Sequence, residues 1–374
     1  MIPPQPLTPS SSPTSSPTRV VLVGAGHAHL HLIAEAATLR AAGVELTVLA
    51  PATFFYSGLA IATAAGVSPP GANRIDVAAL CAREGVTHHD VVVDELDLAA
   101  RKVRDDTGAW HDYERISFNV GSTVPGPPVP TADRVLRVKP LASLDELPAR
   151  LAALDDREQV RISIVGAGAT GCELAAHLGT RLAGRERITV HDRGDGPVPA
   201  FPAPARKRVH RRLRERGVRF DLEASVLALD DDGVVTTSGH HPADLVVLAT
   251  GLQAAPLGQR LGLGDERGIP VRATLQHVDH DEVLAVGDCS RFTPRELPKV
   301  GVYGVRAAPV LLEVLVALHR GEPPPAFEPQ RRALQILDVG DGVSVGARGR
   351  WWLESRWMHR LKLRIDHAWL DRYR

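Results

Sequence analysis

Cysteine is scarce in this chain: Cys81, Cys172 and Cys289 are the only three among 374 residues, and no two form a CxxC pair. That spacing indicates neither a zinc cluster nor a local redox dithiol, and it fits a reducing, cytosolic setting. Neither sign of charge is in excess, with Lys+Arg and Asp+Glu at 44 each, and aromatics make up only 4%. A neutral, aromatic-poor chain gives no general case for nucleic-acid binding. No stretch approaches roughly 18 uninterrupted apolar residues, so no membrane-spanning helix is expected. Residues 1–18 are rich in Pro, Ser and Thr and lack the apolar run of a signal peptide. They are expected to form a disordered tail, because they cannot bury enough surface to offset the cost of ordering.

The length suffices for two or three domains, and the clearest organising motif lies mid-chain. Arg161-Ile-Ser-Ile-Val165 runs into Gly166-Ala-Gly168-Ala-Thr170-Gly171-Cys-Glu173, and residues 174–178 continue at helical spacing without proline. A strand, a GxGxxG turn and a helix in that order are the context a dinucleotide-binding turn needs. Gly166 permits the tight turn, Gly168 lets the backbone approach a pyrophosphate, and Gly171 lets the helix pack against its strand. The phosphates would rest at the helix N-terminus, on unpaired N–H groups carrying roughly half a unit of positive charge. The strand Ile188-Thr-Val-His-Asp192 ends in an acid about 20 residues beyond the last glycine, the place for a ribose-binding carboxylate. Asp192 therefore favours NAD over NADP, although Arg193 beside it could take a 2′-phosphate.

A second, less regular copy opens the ordered chain at Arg19. Val20-Val-Leu-Val23 enters Gly24-Ala25-Gly26-His27-Ala28-His29, followed by a helix to about Ala42 and a strand over 45–49. The third glycine is His29, and the second strand runs into Ala50-Pro51 with no terminal acid. His27, His29 and His31 invite a metal reading, since positions four apart share a helix face. With no carboxylate or cysteine close in sequence they are taken as turn and capping residues beside phosphate, and no metal is expected. Phe54-Phe-Tyr56-Ser57-Gly58 is either plain core or the loop beneath a cofactor ring. Residues 75–84 read as a helix with Cys81 as a small core residue rather than a nucleophile. Residues 91–93, 102–104 and 116–120 suggest a small strand-rich excursion, closed by Gly121-Ser-Thr123. Pro125-Gly-Pro-Pro128 punctuates the chain, which then passes through Arg137-Val-Lys-Pro140 and a helix over 144–154 into the GxGxxG domain.

Residues 206–219 carry eight basic groups against the single acid Glu215. They form a solvated helix face or a field that attracts an anionic dinucleotide. Strands at 219–221, 226–229 and 234–237 surround the Asp230-Asp-Asp-Gly233 turn. Asp244-Leu-Val-Val-Leu-Ala-Thr-Gly251 is a buried strand ending in glycine, and Val283-Leu-Ala-Val-Gly287-Asp288 is another. A carboxylate just past a buried parallel strand lies at the ligand-binding edge of an open α/β sheet. Asp288 is thus expected to bind a polyol, besides any helix-capping role. A helix begun near Val302 ends over 313–318, and residues 321–325 break the chain.

The last 24 residues hold four of the five tryptophans, and from Arg348 onward eight Lys/Arg face three Asp/Glu. Trp357, Leu361, Ile365, Ala368 and Arg372 follow helical spacing as a narrow apolar stripe with basic flanks. The stripe fits a helix lying on an anionic membrane surface. It fits equally a helix docked on the domain or on a second subunit of a homodimer.

Two glycine turns, an Ala-Thr-Gly strand end and a late Gly-Asp strand end, in this order, resemble the two-dinucleotide flavoproteins of the pyridine nucleotide-disulfide oxidoreductase superfamily over about 19–318. Within it the chain is most similar to type II NADH:quinone dehydrogenases, particularly the branch linked to selenide water dikinase. Gly24-Ala-Gly-His-Ala-His29, Tyr56-Ser-Gly58, Asn119-Val-Gly-Ser122, Gly287-Asp-Cys289 and Leu297-Pro-Lys-Val-Gly301 carry the likeness. The resemblance implies an α/β fold of two Rossmann-like three-layer domains, with the NAD(P)H domain (137–245) inserted in the FAD domain (19–136 and 246–320) and a C-terminal docking region over 321–374. It implies FAD on Gly24, Ala25, Gly26, His27 and Ala28, with Tyr56 and Ser57 near the flavin, Gly121 closing the domain, and Gly287 and Asp288 at the ribityl chain. NAD(P)H would lie on Gly166, Gly168, Thr170, Gly171 and Asp192, with Glu173 facing the nicotinamide and Gly251 beneath it. Lys299 and Val302 would approach the isoalloxazine, and Glu173 and Lys299 are the residues expected to act in catalysis.

The departures bear on function. Family members carry two glutamines in the quinone stretch where this chain has Gly301 and Val305, so NADH oxidation is better supported than quinone reduction. Sulfide:quinone oxidoreductases share the fold but need cysteines able to reach the flavin, a pattern that positions 81, 172 and 289 do not match. The expected activity is hydride transfer from NAD(P)H to FAD and on to a quinone or similar acceptor, at the cytoplasmic face of a membrane. The alternatives are reduction of a redox protein or of a selenium or sulfur compound, and a flavin-binding sensor or scaffold with little turnover.

Overall fold

Continuous apolar runs such as Val20-Val-Leu-Val23 suit strands buried on both faces, the condition of a parallel sheet covered by helices. Two such five-stranded sheets organise the described residues. The computed structural model describes residues 16–125, 134–182 and 186–374. In the first sheet the order is Val283–Ala285, Arg115–Phe118, Thr18–Val23, Val44–Leu49, Thr87–His89, with every pairing parallel. In the second it is Val135–Arg137, Leu245–Leu248, Val160–Val165, Glu186–His191, Arg219–Asp221, again all parallel. Each sheet has its own buried core, and Leu257, Ile269, Val283 and Leu284 return to the first after the chain has built the second. This is the inserted two-domain α/β arrangement.

Several expectations are corrected. Residues 116–118 do not belong to a peripheral excursion; they pair directly with Thr18–Val23 at the centre of the first sheet. Only Val93–Asp97, Lys102–Asp105 and Trp110–Asp112 form the small antiparallel sheet. The boundaries expected at 136 and 246 both fall inside strands of the second sheet. The helix expected over 144–154 is a 3-10 turn, Leu141–Glu146, followed by a short helix, Leu147–Ala152. Of the polar tail, residues 1–15 lie outside the described residues, as do 126–128 of the proline-rich punctuation, and Thr18 already opens a strand.

The helix Gly301–Arg320 is long and apolar enough to cross a membrane by length and composition, although Arg306 and Glu313 interrupt it. It packs against the helix His27–Ala34, burying Gly304, Ala307, Ala308 and Leu311 in the first core. The C-terminal region is a three-stranded antiparallel sheet, Gln335–Asp338, Ser344–Arg348 and Trp351–Ser355, then the helix Arg356–Asp371. Ser355 caps that helix by accepting from the Met358 N–H at 3.0 Å. The apolar stripe is not the docking face. The helix docks through Met358, Lys362, Asp366 and Leu370, leaving Trp357 60% and Ile365 46% exposed.

Candidate active site

The first glycine turn is closed from the neighbouring strand. Gly24 has φ +81°, a left-handed conformation that favours glycine. A Cβ on Gly26 would strike the Asn119 side chain. Asn119 ends the adjacent strand; its Oδ1 accepts from the Ala28 N–H at 3.0 Å and its Nδ2 donates to the Val286 carbonyl at 2.9 Å. His29, standing where a third glycine would be, lies 2.6 Å from the Gly24 carbonyl and 2.8 Å from Ser117 Oγ. His31 accepts from Arg372 at 3.1 Å. The three histidines are therefore not gathered around one point.

This turn opens on a cavity of about 450 Å³. Of the residues expected to hold FAD, Gly24, Ala25, Gly26, His27, Ser57, Gly121, Gly287 and Asp288 line it. Asp288 Oδ2 accepts from Ser122 Oγ at 2.8 Å. Lys139, just past the strand Val135–Arg137, also lines the cavity, and no local motif marks it. Burial lowers the Lys139 pKa, and the Asp288 carboxylate opposes that shift. Burial, then the Lys139 charge, pushes His27 down to about 3, so its ring is neutral. A glycine-floored cradle beside helix N–H groups, with a carboxylate and an ammonium at its walls, suits a long polyol diphosphate carrying a flat ring. FAD fits those requirements.

Other expected residues are elsewhere. Lys299 does not line this cavity; its ammonium donates to the carbonyls of Asp288 at 2.6 Å and Arg267 at 2.8 Å, so it props the Asp288 loop from behind. Val302 faces a second cavity, of about 410 Å³, together with Gly58, Ile365, Lys362 and Asp366. The two cavities share thin walls: Ser57 and Gly301 line the first, and the next residues in the chain, Gly58 and Val302, line the second.

Tyr56 lies outside both linings. It stacks on Trp369 at 4.5 Å and donates to Asp366 Oδ1 at 2.8 Å. Lys362 donates to Asp366 Oδ2 at 2.9 Å and to the Gly58 carbonyl at 2.5 Å, and stands 3.8 Å from Glu173 Oε1. Burial raises Glu173 to about 7, with Lys362 the largest opposing influence. Burial would lower Lys362, but Glu173 and Asp366 outweigh it and raise its pKa. Sequence reasoning missed Lys362 and Asp366; the signal was an opposite-charge pair four apart, in register with Met358, Trp369 and Tyr373 on one face.

The second glycine turn has the expected local form. Gly166 has φ +112°, and a Cβ on Gly171 would strike the Gly166 carbonyl, whereas the space beside Gly168 is open. Thr170 is half-buried in the first turn of the helix Ala169–Leu182, and Gly251 is exposed. Asp192 accepts from the Ala167 N–H at 2.6 Å and from the Gly194 N–H at 2.7 Å. Each carboxylate oxygen has a second lone pair, so hydroxyl donors can still be accepted. All three cysteines are buried with raised pKa values, and none lines the first cavity.

Two strand–turn–helix nucleotide sites on successive parallel sheets define a dinucleotide-dependent oxidoreductase. The chain belongs to the pyridine nucleotide-disulphide oxidoreductase family, whose model matches residues 18–307. The cofactors of this family are FAD and NAD(P)H. Among curated relatives, it is 30% identical over 222 residues to demethylphylloquinone reductase NdbB of Synechocystis, covering 56% of this chain and 55% of that protein. It is 33% identical over 213 residues to the nitric oxide reductase FlRd-NAD(+) reductase of Klebsiella pneumoniae, covering 55% and 54%. The chain thus spans about half the length of these relatives. The sulfide:quinone oxidoreductase of Aquifex aeolicus superposes with a TM-score of 0.82 at 15% identity, covering 96% of this chain and 91% of that one. NDH2 of Plasmodium falciparum superposes at 0.78 and 11% identity, covering 94% and 97%. These likenesses concern the fold.

Proposed function

We propose that the chain is an NAD(P)H dehydrogenase, NADH favoured, which holds FAD in the glycine-floored cavity and passes electrons to a quinone or similar acceptor in the second cavity. The observation that carries this reading is the shared wall: one residue step, Ser57 to Gly58 and Gly301 to Val302, crosses from one cavity to the other. When bound, the flavin supplies the two-electron chemistry. The chain's own groups position and neutralise. Asp288 accepts hydroxyl donors of a ribityl chain, and Lys139 opposes negative charge on a reduced ring. Asp192 holds the ribose of the donor. Lys362 Nζ presents a proton to an acceptor oxygen in the second cavity, with Glu173 behind it as a carboxyl poised near neutrality.

The acceptor is proposed to be lipid-borne. Leu334 and Ile365 line the second cavity and are exposed, as are Trp351, Leu353 and Trp357 in the same region. Arg348, Arg350, Arg360 and Arg364 are exposed among them. Apolar anchors ringed by arginine suit the anionic face of a membrane, on the cytoplasmic side. A second reading, reduction of an acidic redox protein, is favoured by the exposed Lys207, Arg211 and Arg214 on the helix Ala203–Glu215.

Anaerobic titration with NADH, followed by stopped-flow reoxidation against menaquinone, ubiquinone, oxygen and selenium or sulfur acceptors, tests the proposal. A flavin spectrum that bleaches with one equivalent of NADH and recovers fastest with a quinone is expected. A spectrum that never bleaches would leave only a flavin-binding sensor or scaffold.

A further inference from the structure

Behind the ribose acid lies a cluster that the nucleotide chemistry does not use. His191 ends the strand Glu186–His191, Asp221 ends its neighbour Arg219–Asp221, and His241 comes from the hairpin strand Gly239–Pro242. His191 Nδ1 lies 3.0 Å from Asp221 Oδ2, and His241 Nε2 lies 3.3 Å from the same oxygen. Thr236 Oγ1 donates to that oxygen as well, at 3.2 Å, while Oδ1 accepts from Ser238 Oγ at 2.8 Å. His241 Nε2 also lies 3.1 Å from Ser238 Oγ and 3.3 Å from Thr236 Oγ1, so two imidazoles, one carboxylate and two hydroxyls converge on one small volume.

We propose that His191, Asp221 and His241 form a binding site for one divalent transition-metal ion of the zinc class. Ligands bound at about 2.0–2.1 Å around a tetrahedral ion stand roughly 3.3 Å apart, the separation these atoms already have about Asp221 Oδ2. All three ligand atoms lie within 4.8 Å of one another. Two imidazoles and one carboxylate, with a water or the Ser238 hydroxyl completing four, match the ligand preference of zinc. The back of the site is built too: His191 Nε2 lies 3.1 Å from Ser163 Oγ, which can accept the ring proton once Nδ1 turns its lone pair to a metal. The side chains of Asp221 and His241 keep 15% and 29% of their surface exposed, which leaves an entry path.

A second three-residue group, Glu173, His177 and Asp338, has similar spacing, but Lys362 already places an ammonium 3.8 Å from Glu173. Among the described residues no lysine or arginine pairs with Asp221. The site also has a mechanical consequence. His191 precedes Asp192, and the Asp192 N–H donates to the Asp221 carbonyl at 2.9 Å, so an ion clamping the two strand ends would stiffen the mount of the ribose carboxylate.

The test uses the FAD-loaded chain stripped of metal with a chelator, then titrated with Zn²⁺ by calorimetry and with Co²⁺ by visible absorption beyond the flavin bands. One equivalent of each per chain is expected, with the d–d spectrum of tetrahedral cobalt. His241→Ala, on the exposed hairpin, should weaken Zn²⁺ at least about a hundredfold, and Ser163→Ala about tenfold. Both variants should retain the flavin spectrum, which separates loss of the site from loss of fold. Failure of the wild-type chain to bind one equivalent of Zn²⁺, or binding unchanged in His241→Ala, overturns the proposal and leaves a hydrogen-bonded His–Asp–His cluster. None of these readouts depends on NADH or quinone turnover.

Discussion

Lys362 of the C-terminal helix lies 3.8 Å from Glu173 of the helix Ala169–Leu182 behind the second nucleotide turn, and it also holds Asp366 at 2.9 Å. One ammonium serves two carboxylates and the Gly58 carbonyl, joining the C-terminal region to both nucleotide-binding units. Removing it leaves Glu173 and the buried Asp366 without their cation. Lys362→Met should therefore lower unfolding free energy by about 3 kcal/mol, the scale for breaking one side of a buried pair. Denaturant melts measure this, and a loss below about 1 kcal/mol would show the ammonium to be dispensable.

Glu173 gives a pH dependence of definite sign. Its pKa is raised from 4.5 to about 7 on folding, chiefly by burial. The folded state therefore holds a proton that the unfolded state has released. The group's contribution is full below the unfolded value and is lost as pH rises through the folded one. The Tm of the wild type minus that of Glu173→Gln should fall between pH 4.5 and about 7 and level off above. A difference that rises over this range would contradict the assignment.

Asp192 sets nucleotide choice if it meets ribose hydroxyls. Replacing it with Ala should raise the KM for NADH about ten- to a hundredfold, the scale of one charge-assisted hydrogen bond, and change that for NADPH less. Because Asp192 also ties down the Ala167 and Gly194 N–H groups, the variant should melt earlier. Equal losses for both nucleotides would assign Asp192 to the turn alone.

Lys139 and Lys299 separate cavity charge from loop support. Lys139→Met should lower the two-electron flavin potential by about 30 mV, equivalent to about 1.4 kcal/mol. Lys299→Met should instead leave the potential near its wild-type value and loosen flavin retention through the Asp288 loop. Redox titration against reference dyes distinguishes them, and a larger potential shift for Lys299→Met reverses the roles.

The exposed stripe predicts membrane behaviour. Trp351→Ser combined with Trp357→Ser, both exposed and outside the second cavity, should abolish co-sedimentation with vesicles containing anionic lipid and leave oxidation of NADH with a water-soluble quinone unchanged. If the wild type ignores such vesicles and instead elutes as a dimer that the double variant dissociates, the face belongs to a second subunit.

Local pattern carried much of this. The second turn was legible because strand, glycines, helix and acid occur in sequence within one βαβ unit, and their spacing is dictated by backbone sterics. The first was weaker, with His29 in the third glycine position, and only the fold shows that its ring packs on Gly24 and Ser117. Residues 116–118 looked peripheral because a three-stranded antiparallel insertion precedes them. Their place between Thr18–Val23 and Val283–Ala285 is a long-range pairing that no local period encodes.

The sequence by itself determined that two glycine turns of the dinucleotide type exist, that an acid, Asp192, stands at the end of the strand after the second, and that the C-terminal helix is two-faced, since each follows from periodicity and turn chemistry over a few residues. Only the tertiary structure decided which face of that helix docks. The apolar stripe fitted a membrane surface as well as a docked face, and it is Lys362 and Asp366 that are buried, because Glu173, Tyr56 and Gly58 supply the charges and hydrogen bonds that make their burial tolerable. Those partners come from distant parts of the chain, and the compensation exists only once both nucleotide units have folded around the helix.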